Sequence, residues 1–245
     1  MTRFGSPSSR LKARIESALI DGMKGKLHAW RIEDREYARQ EERRGRRHAF
    51  ETLEPARTAL VVIDMVPFFV SDSGYCLGIV PNISSIAAAL RKAGGTVAWV
   101  VPGPAEHVAV FEEFYGPKVA AMYRRSGGEG PLAGRLWEGF EVHPDDLLAE
   151  KTSSSAFFPG RCPLSSLLEA RGITTVLITG TVTNVCCESS ARDASTLGYR
   201  VIMVADANSA MRDRDHNATL HTIYRSFGDV RSAADVIGMI ESAAG

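Results

Sequence analysis

The sequence carries no excess charge of either sign, because its 29 basic side chains are matched by 29 acidic ones. A chain without net charge has no global field to attract nucleic acid or an anionic membrane, so we expect neither as a partner. No apolar run approaches the roughly 20 residues needed to span a bilayer, and Met1 to Arg14 lack the apolar segment of a secretory signal. We therefore expect a cytoplasmic protein.

Cysteine is scarce as well, with four residues in a chain of 245. Two of them are neighbours, Cys186 and Cys187, and adjacent cysteines rarely form a disulfide without strain. The composition thus excludes a disulfide framework and favours reduced thiols.

Glycine is absent from the turn Asp64 to Pro67 after the first apolar run, which excludes the glycine-rich turn that binds a dinucleotide.

Residues 1–56 are charged and weakly patterned, whereas residues 57–245 alternate apolar runs with helical periods. We interpret residues 1–56 as an N-terminal charged helical arm that lies on the domain or on a partner subunit, with one or two helices expected over residues 14–23 and 33–47. The basic residues at positions 43–48 have acids interleaved and few aromatic neighbours, so a solvated face is favoured over a nucleic-acid site. Residues 57–245 are expected to form one α/β domain.

Apolar runs in this domain predict strands at 59–63, 97–101, 174–179 and 199–204, with a short strand before Lys151 and a last one near Val230. Helices are predicted from Pro81 to Gly94, over 164–170, after the paired cysteines, over 216–227 and over 233–244. Residues 102–141 are weakly patterned and predicted as loops with one short helix. Because strands alternate with helices, we expect a three-layer α/β sandwich with a mainly parallel six-stranded sheet.

Three chemically active side chains stand at the ends of predicted strands: Asp64, Lys151 and Cys186. Parallel strands bring their carboxyl ends to one edge of the sheet, so groups far apart in sequence can meet there. An acid beside a thiol can accept its proton, and an ammonium beside both can keep the acid ionised. A thiol at a helix start is also expected to be shifted toward the thiolate by unpaired backbone N–H groups.

Each of these residues taken singly has a simpler interpretation. A strand-end Asp is often a helix cap, a single Lys is usually solvated, and a Cys in an apolar run is more often a packing residue. Their joint placement is what favours a catalytic set.

Three sequence blocks surround these residues: Val61-Val62-Ile63-Asp64-Met65, then Lys151 followed by Ser155-Ala156-Phe157-Phe158, then Thr179-Gly180-Thr181-Val182-Thr183-Asn184-Val185-Cys186-Cys187-Glu188-Ser189. The blocks resemble the signatures of the isochorismatase-like cysteine hydrolases, in particular the branch of ureidoacrylate and carbamoyl amidohydrolases. The resemblance covers about Thr58 to the C-terminus. It implies a Rossmann-like sheet with a catalytic triad of Asp64, Lys151 and Cys186.

The same resemblance implies roles around the triad. It places a cis peptide bond at Thr181–Val182 and an oxyanion hole at the backbone N–H groups of Val182 and Cys186. Cys187 falls where the family usually has a valine, so a buried packing residue is predicted there. The candidate substrate-pocket residues are Phe69, Ser154, Phe157 and Asn184.

The implied reaction is hydrolysis, and an intact Cys186 favours cleavage of a C–N bond in a small amide, ureide or carbamoyl substrate through a thioester. No cofactor is expected. No metal is expected either, because the region after Asp64 lacks the histidines of the nicotinamidase branch, and His216 and His221 have no third ligand nearby in sequence. The family also implies a homo-oligomer, either a dimer or a tetramer.

Other interpretations stay open at this point. The chain could cleave a vinyl ether as isochorismatase does, or a cyclic amide as streptothricin hydrolases do, since Ser154 stands where ureide enzymes often carry a tyrosine. From a different class, the Cys186–Cys187 pair could be a thiol redox sensor, or the arm could belong to an interaction protein on an inactive hydrolase fold. Neither of these explains Asp64 and Lys151.

Overall fold

The computed structural model describes residues 24–104 and 109–244, so the helix predicted over residues 14–23 lies outside them. The strands are β1 (Thr58–Ile63), β2 (Thr96–Pro102), β3 (Leu147–Lys151), β4 (Thr175–Thr181), β5 (Arg200–Ser209) and β6 (Asp229–Arg231). They form one sheet in the order β3-β2-β1-β4-β5-β6, in which every neighbouring pair is parallel. The predicted α/β class and six-stranded sheet are confirmed.

The helices are α1 (Asp34–Arg44), α2 (Pro67–Val70), α3 (Gly74–Lys92), α4 (Ala109–Tyr115), α5 (Pro117–Arg124), α6 (Leu164–Ala170), α7 (Glu188–Thr196), α8 (Asp213–Ser226) and α9 (Ala233–Ala244). Short 3-10 turns occur at Pro55–Arg57 and Leu132–Arg135, and a π-helical turn spans Thr183–Cys187 between β4 and α7. Within the described ranges, no helix combines the length and apolar character needed to cross a membrane.

Both faces of the sheet are buried, which explains why its central strands are continuous apolar runs. Successive side chains of a strand point to opposite faces. In β1, Ala59, Val61 and Ile63 therefore join one core cluster, while Leu60 and Val62 join the other. Helices α6, α7 and α8 contribute apolar side chains to the first cluster, and helices α3 and α9 contribute them to the second. The result is the three-layer sandwich that the sequence predicts.

Three predicted boundaries are wrong. Pro81 lies inside α3, because the helix is capped earlier by the side chain of Ser73, which accepts a hydrogen bond from the backbone N–H of Cys76. The cap and the burial of Cys76 and Ile79 stabilise the first turns of the helix, although a proline in a helix interior costs roughly 3 kcal/mol. Two helices, α4 and α5, stand where one was predicted, separated by Gly116 at φ 76°. Strand β5 continues to Ser209, whereas the apolar run at 199–204 predicts a strand that ends at Asp206.

Part of the predicted arm packs against the domain. Residues 24–33 form neither helix nor strand and lead into α1, and the N–H of Lys26 donates to the carbonyl of Gly74 at 2.9 Å. A Cβ on Gly78 would lie 2.1 Å from the carbonyl oxygen of Lys26, so this approach requires glycine. Further along the arm, Glu36 is buried beside His221 and Arg225 of α8.

Candidate active site

The strand order reverses between β1 and β4, because β2 and β3 lie on one side of this pair and β5 and β6 on the other. In open α/β sheets, such a switch point opens a crevice at the carboxyl ends of the strands. Asp64 directly follows β1, and Cys186 lies in the π-helical turn after β4, so both stand at the crevice. Lys151 is the last residue of β3 and pairs with Pro102 of β2. On the other side of β2, the last residue of β1, Ile63, pairs with Val100, so β3 ends two positions further along β2 than β1 does. This register lets the long side chain of Lys151 reach across the end of β2.

The three side chains singled out from the sequence meet in this crevice. Lys151 Nζ lies 2.9 Å from Asp64 Oδ2 and 3.5 Å from Cys186 Sγ, and it donates to the carbonyl oxygen of Ser153 at 3.1 Å. An ammonium has three N–H donors, so each donor has a partner here. The side chains of Lys151 and Asp64 are only 4% and 2% exposed. The site is thus an almost fully buried acid and ammonium beside a half-buried thiol.

The backbone at Asp64 is unusual. Among the residues that the structure describes, it is the only one other than glycine with a positive φ, 56°. Asp adopts this left-handed region more readily than most residues, but it is uncommon for any side chain. Hydrogen bonds from Asp64 N to Val100 O and from Val66 N to Asp64 O, at 2.9 and 2.8 Å, hold the turn. Residues held in such conformations cluster at functional sites.

The protonation states follow from burial and charge. Burial raises the pKa of Asp64, while the Lys151 ammonium and then the neighbouring Cys186 thiol act in the opposite direction. Burial also lowers the pKa of Lys151, but attraction to Asp64 and Cys186 outweighs it and leaves that pKa above its ordinary value. Burial first and the Asp64 charge second raise the pKa of the Cys186 thiol to about 12. At neutral pH the resting site therefore holds a charged lysine and a protonated thiol.

The expectation of a thiolate stabilised by a helix start is therefore wrong for the resting site. Cys186 lies inside the π-helical turn Thr183–Cys187, before α7 begins, and its half-buried thiol stands beside a carboxylate. Desolvation and the adjacent negative charge outweigh the partial positive charge of a helix end. A reaction at this sulfur needs a base to take its proton, and the Asp64 carboxylate, whose charge raises the pKa of the thiol, is the neighbouring acceptor.

The chain makes a tight turn between β4 and Cys186. The Thr181–Val182 peptide bond is cis. The carbonyl of Val182 accepts hydrogen bonds from Val185 N at 3.0 Å and from Cys187 N at 3.2 Å. Val182 and Cys186, which the resemblance assigns to the oxyanion hole, thus belong to one compact loop at the end of the strand.

The four predicted pocket residues occupy different environments. Ser154 and Asn184 are exposed, and Phe69 is half-buried. Phe157 is 1% exposed and packs in the core, 5.6 Å from the ring of Tyr199. Phe157 therefore contributes to the core, and its part in a substrate pocket stays a prediction. Cys187 is fully buried, as predicted.

Two contacts that steady the site have no signal in the sequence. Ser190 Oγ of α7 accepts a hydrogen bond from the N–H of Ala156 at 2.9 Å, which ties the loop after Lys151 to the helix after Cys186. Thr183 Oγ1 lies 2.9 Å from Nδ1 of His216 on α8. The sequence places His216 in a predicted helix but does not identify its partner.

Other features of the surface do not coincide with this cluster. A cavity of about 810 Å³ lies between the arm and α8 and is lined by Arg31, Arg35, Asp213, Asn217 and His221 among others, but not by Asp64, Lys151 or Cys186. Within residues 24–104 and 109–244, no three His, Cys, Asp or Glu side chains converge as a metal ion would require.

The sheet order, together with a buried acid, ammonium and thiol at its switch point, defines a doubly wound α/β enzyme of the isochorismatase-like class. The family model described as "Isochorismatase domain" matches residues 58–235. This chain belongs to the isochorismatase family.

Individual relatives match over most of their length. The chain is 32% identical to ureidoacrylate amidohydrolase RutB of Agrobacterium fabrum over 219 residues, which are 79% of this chain and 94% of that protein. A solved cysteine hydrolase from Pseudomonas syringae has a TM-score of 0.70 and 29% identity, covering 80% of this chain and 97% of its own. N-carbamoylsarcosine amidase from Thermoplasma acidophilum, at 24% identity, a TM-score of 0.60 and coverage of 72% and 96%, shares the fold.

Proposed function

We propose that this chain hydrolyses a C–N bond in a small amide, ureide or carbamoyl substrate, with Cys186 as the nucleophile. The observation that carries the proposal is the position of the almost fully buried Lys151 Nζ, 2.9 Å from Asp64 Oδ2 and 3.5 Å from Cys186 Sγ. Identities of 32% to a ureidoacrylate amidohydrolase and 29% to a cysteine hydrolase support this reaction over vinyl ether cleavage.

The first half of the reaction transfers the acyl group to sulfur. Asp64 takes the thiol proton as Cys186 Sγ attacks the carbonyl carbon of the substrate, because a thiol with a pKa of about 12 supplies little free thiolate. The raised pKa of Asp64 makes its carboxylate a better proton acceptor than an ordinary one. Lys151 stays protonated and keeps both groups in place. The backbone N–H groups of Val182 and Cys186 hold the negative oxygen of the tetrahedral intermediate.

The second half releases the products. Asp64 returns the proton to the substrate nitrogen, the C–N bond breaks, and an amine or ammonia leaves behind a thioester on Cys186. Asp64 then takes a proton from water, whose oxygen attacks the thioester carbonyl. The C–S bond breaks, Asp64 gives the proton back to the sulfur, and the acid departs. The enzyme ends in its starting protonation state.

A pair of neighbouring cysteines offers a matched test. Ammonia release from a panel of amides and ureides should fall by about 10³-fold or more in Cys186→Ala, because removing a nucleophile removes the whole pathway. Cys187→Ala should keep turnover, since Cys187 is a fully buried packing residue. Mass spectrometry should find the acyl adduct on Cys186. Normal turnover by Cys186→Ala, or an adduct on Cys187, would refute the assignment.

The redox-sensor hypothesis is less well supported. Sensor thiols are accessible and have low pKa values. Burial instead raises the pKa of both Cys186 and Cys187. The homo-oligomer, the identity of the substrate and the cytoplasmic location stay predictions.

A further inference from the structure

Three stacked rings adjoin the turn that carries Cys186. The ring of His28, from the arm, lies between the rings of Tyr75 of α3 and His216 of α8. We call these three rings the ring column. The centroid of the His28 ring is 3.8 Å from that of Tyr75 and 4.3 Å from that of His216, with interplanar angles of 12° and 16°. The column ends at His216 Nδ1, 2.9 Å from the hydroxyl of Thr183, the first residue of the π-helical turn. A continuous set of contacts therefore joins the arm to the loop of the nucleophile.

The central ring is fixed by its hydrogen bonds. The N–H of Ala210 donates to His28 Nε2 at 2.9 Å, so that nitrogen carries no proton. The proton of the neutral imidazole is then on Nδ1, which donates to Asp213 Oδ1 at 2.6 Å. Tyr75 donates its hydroxyl to the same oxygen at 3.0 Å. Both nitrogens of His28 are used, and its side chain is 1% exposed.

The ring of His216 is equally constrained. His216 and Thr183 are both fully buried, so their hydrogen bond is not replaced by water when it is lost. Burial first and the neighbouring His28 second lower the pKa of His216 to about 3, so its ring is neutral at neutral pH. A neutral ring can stack on His28 without charge repulsion while one nitrogen contacts Thr183.

We propose that Thr183, His216 and His28 are positioning residues, which hold the π-helical turn so that Cys186 Sγ faces Asp64 and Lys151, and thereby couple the arm to the active site. The inference rests on the proposed function, in which Cys186 is the nucleophile. Displacement of a reacting group by on the order of 1 Å can reduce the rate by about 100-fold. The reactive sulfur is three residues from Thr183, so a shift at that residue moves it directly.

The first experiment compares Thr183→Val, which removes the hydroxyl, with Thr183→Ser, which keeps it. We expect Thr183→Val to lower kcat by about 10- to 100-fold with little change in KM, because the turn that carries the sulfur shifts while the substrate surface is kept. Thr183→Ser should recover most of the lost kcat. Alkylation by iodoacetamide, followed at each thiol by mass spectrometry, should change in rate at Cys186 and stay unchanged at Cys162.

The second experiment separates the hydrogen bond from the stacking at His216. His216→Asn places a polar atom near the position of Nδ1 but removes the ring, whereas His216→Phe keeps a ring without the nitrogen. Positioning through Thr183 predicts a higher kcat for His216→Asn than for His216→Phe. His28→Ala, which removes the arm's ring, should lower kcat and alter alkylation at Cys186 in the same direction as Thr183→Val.

All comparisons use the folded fraction, measured by circular dichroism, so a loss of folded protein is not counted as a loss of kcat. The inference would be overturned if, in the folded fraction, Thr183→Val and His216→Phe had the same kcat and the same Cys186 alkylation rate as Thr183→Ser. The contacts of Thr183 and His216 would then serve stability alone. If Thr183→Val does not fold, the His216 pair decides in the same way. Full activity of Cys186→Ala would refute the proposed function. The alkylation rates of Cys186 in the Thr183 variants would still show whether Thr183 sets the position of the thiol.

Discussion

His216 should make the fold sensitive to mild acid. Its folded pKa is lowered to about 3 from an ordinary 6.5, by burial and then by His28, with Asp213 opposing. Below pH 6.5 the unfolded chain binds a proton at this ring and the folded chain does not, so stability is complete above pH 6.5 and is lost as the pH falls. Each pH unit below that value costs about 1.4 kcal/mol. Between pH 7.5 and pH 5, His216 alone should therefore remove about 2 kcal/mol from the free energy of unfolding.

The assay is urea unfolding at both pH values, followed through the three tryptophans. His216→Phe supplies the control, because it keeps a buried ring that cannot be protonated. The pH-dependent loss should be about 2 kcal/mol smaller in this variant than in the unmodified chain. His28, whose pKa is also lowered by burial against the opposing influence of Asp213, adds a loss of the same sign in both proteins. Equal losses in the two proteins would refute the reasoning.

Lys151→Met should lower the free energy of unfolding by about 3–5 kcal/mol and abolish turnover, because it leaves Asp64 buried without its partner at 2.9 Å; a cost below about 1 kcal/mol in urea unfolding would contradict this. Gly180→Ala should cost more than about 4 kcal/mol, since its Cβ would lie 2.1 Å from the carbonyl oxygen of Ile63. Gly198→Ala is the matched control, because Gly198 also has a positive φ but no atom within 4 Å of the added Cβ, and it should show the smaller loss in the same measurement. Dialysis against a chelator should leave ammonia release unchanged, since each proposed step uses Asp64, Lys151 and Cys186, whereas a loss that added metal restores would contradict that mechanism.

The sheet and the meeting of Asp64, Lys151 and Cys186 could be predicted because the signals are local. Each strand is a short apolar run, and each of these residues ends such a run or closely follows one. A parallel sheet then brings the strand ends to one edge without further information. The catalytic roles of the three residues stay part of the proposed function.

The errors arise where tertiary packing decides. The sequence also does not show the neighbours of Phe157, and only the fold shows that its ring lies beside that of Tyr199. The start of α3 depends on the capping side chain of Ser73 and on burial of the first turns, which together outweigh the local preference of Pro81 for a helix start. The pKa of Cys186 depends on desolvation, which a sequence does not state.

The ring column extends this argument to the arm. The family match spans residues 58–235, so His28 lies outside it, and its partners Asp213 and Ala210 are more than 180 residues away in sequence. Ala210 directly follows β5, which pairs with β4, and β4 leads into the turn of Cys186. The arm thus docks beside the strand whose end carries the proposed nucleophile. Because both stacked histidines must be neutral and buried to make these contacts, the attachment of the arm and the geometry of the turn should depend on pH together.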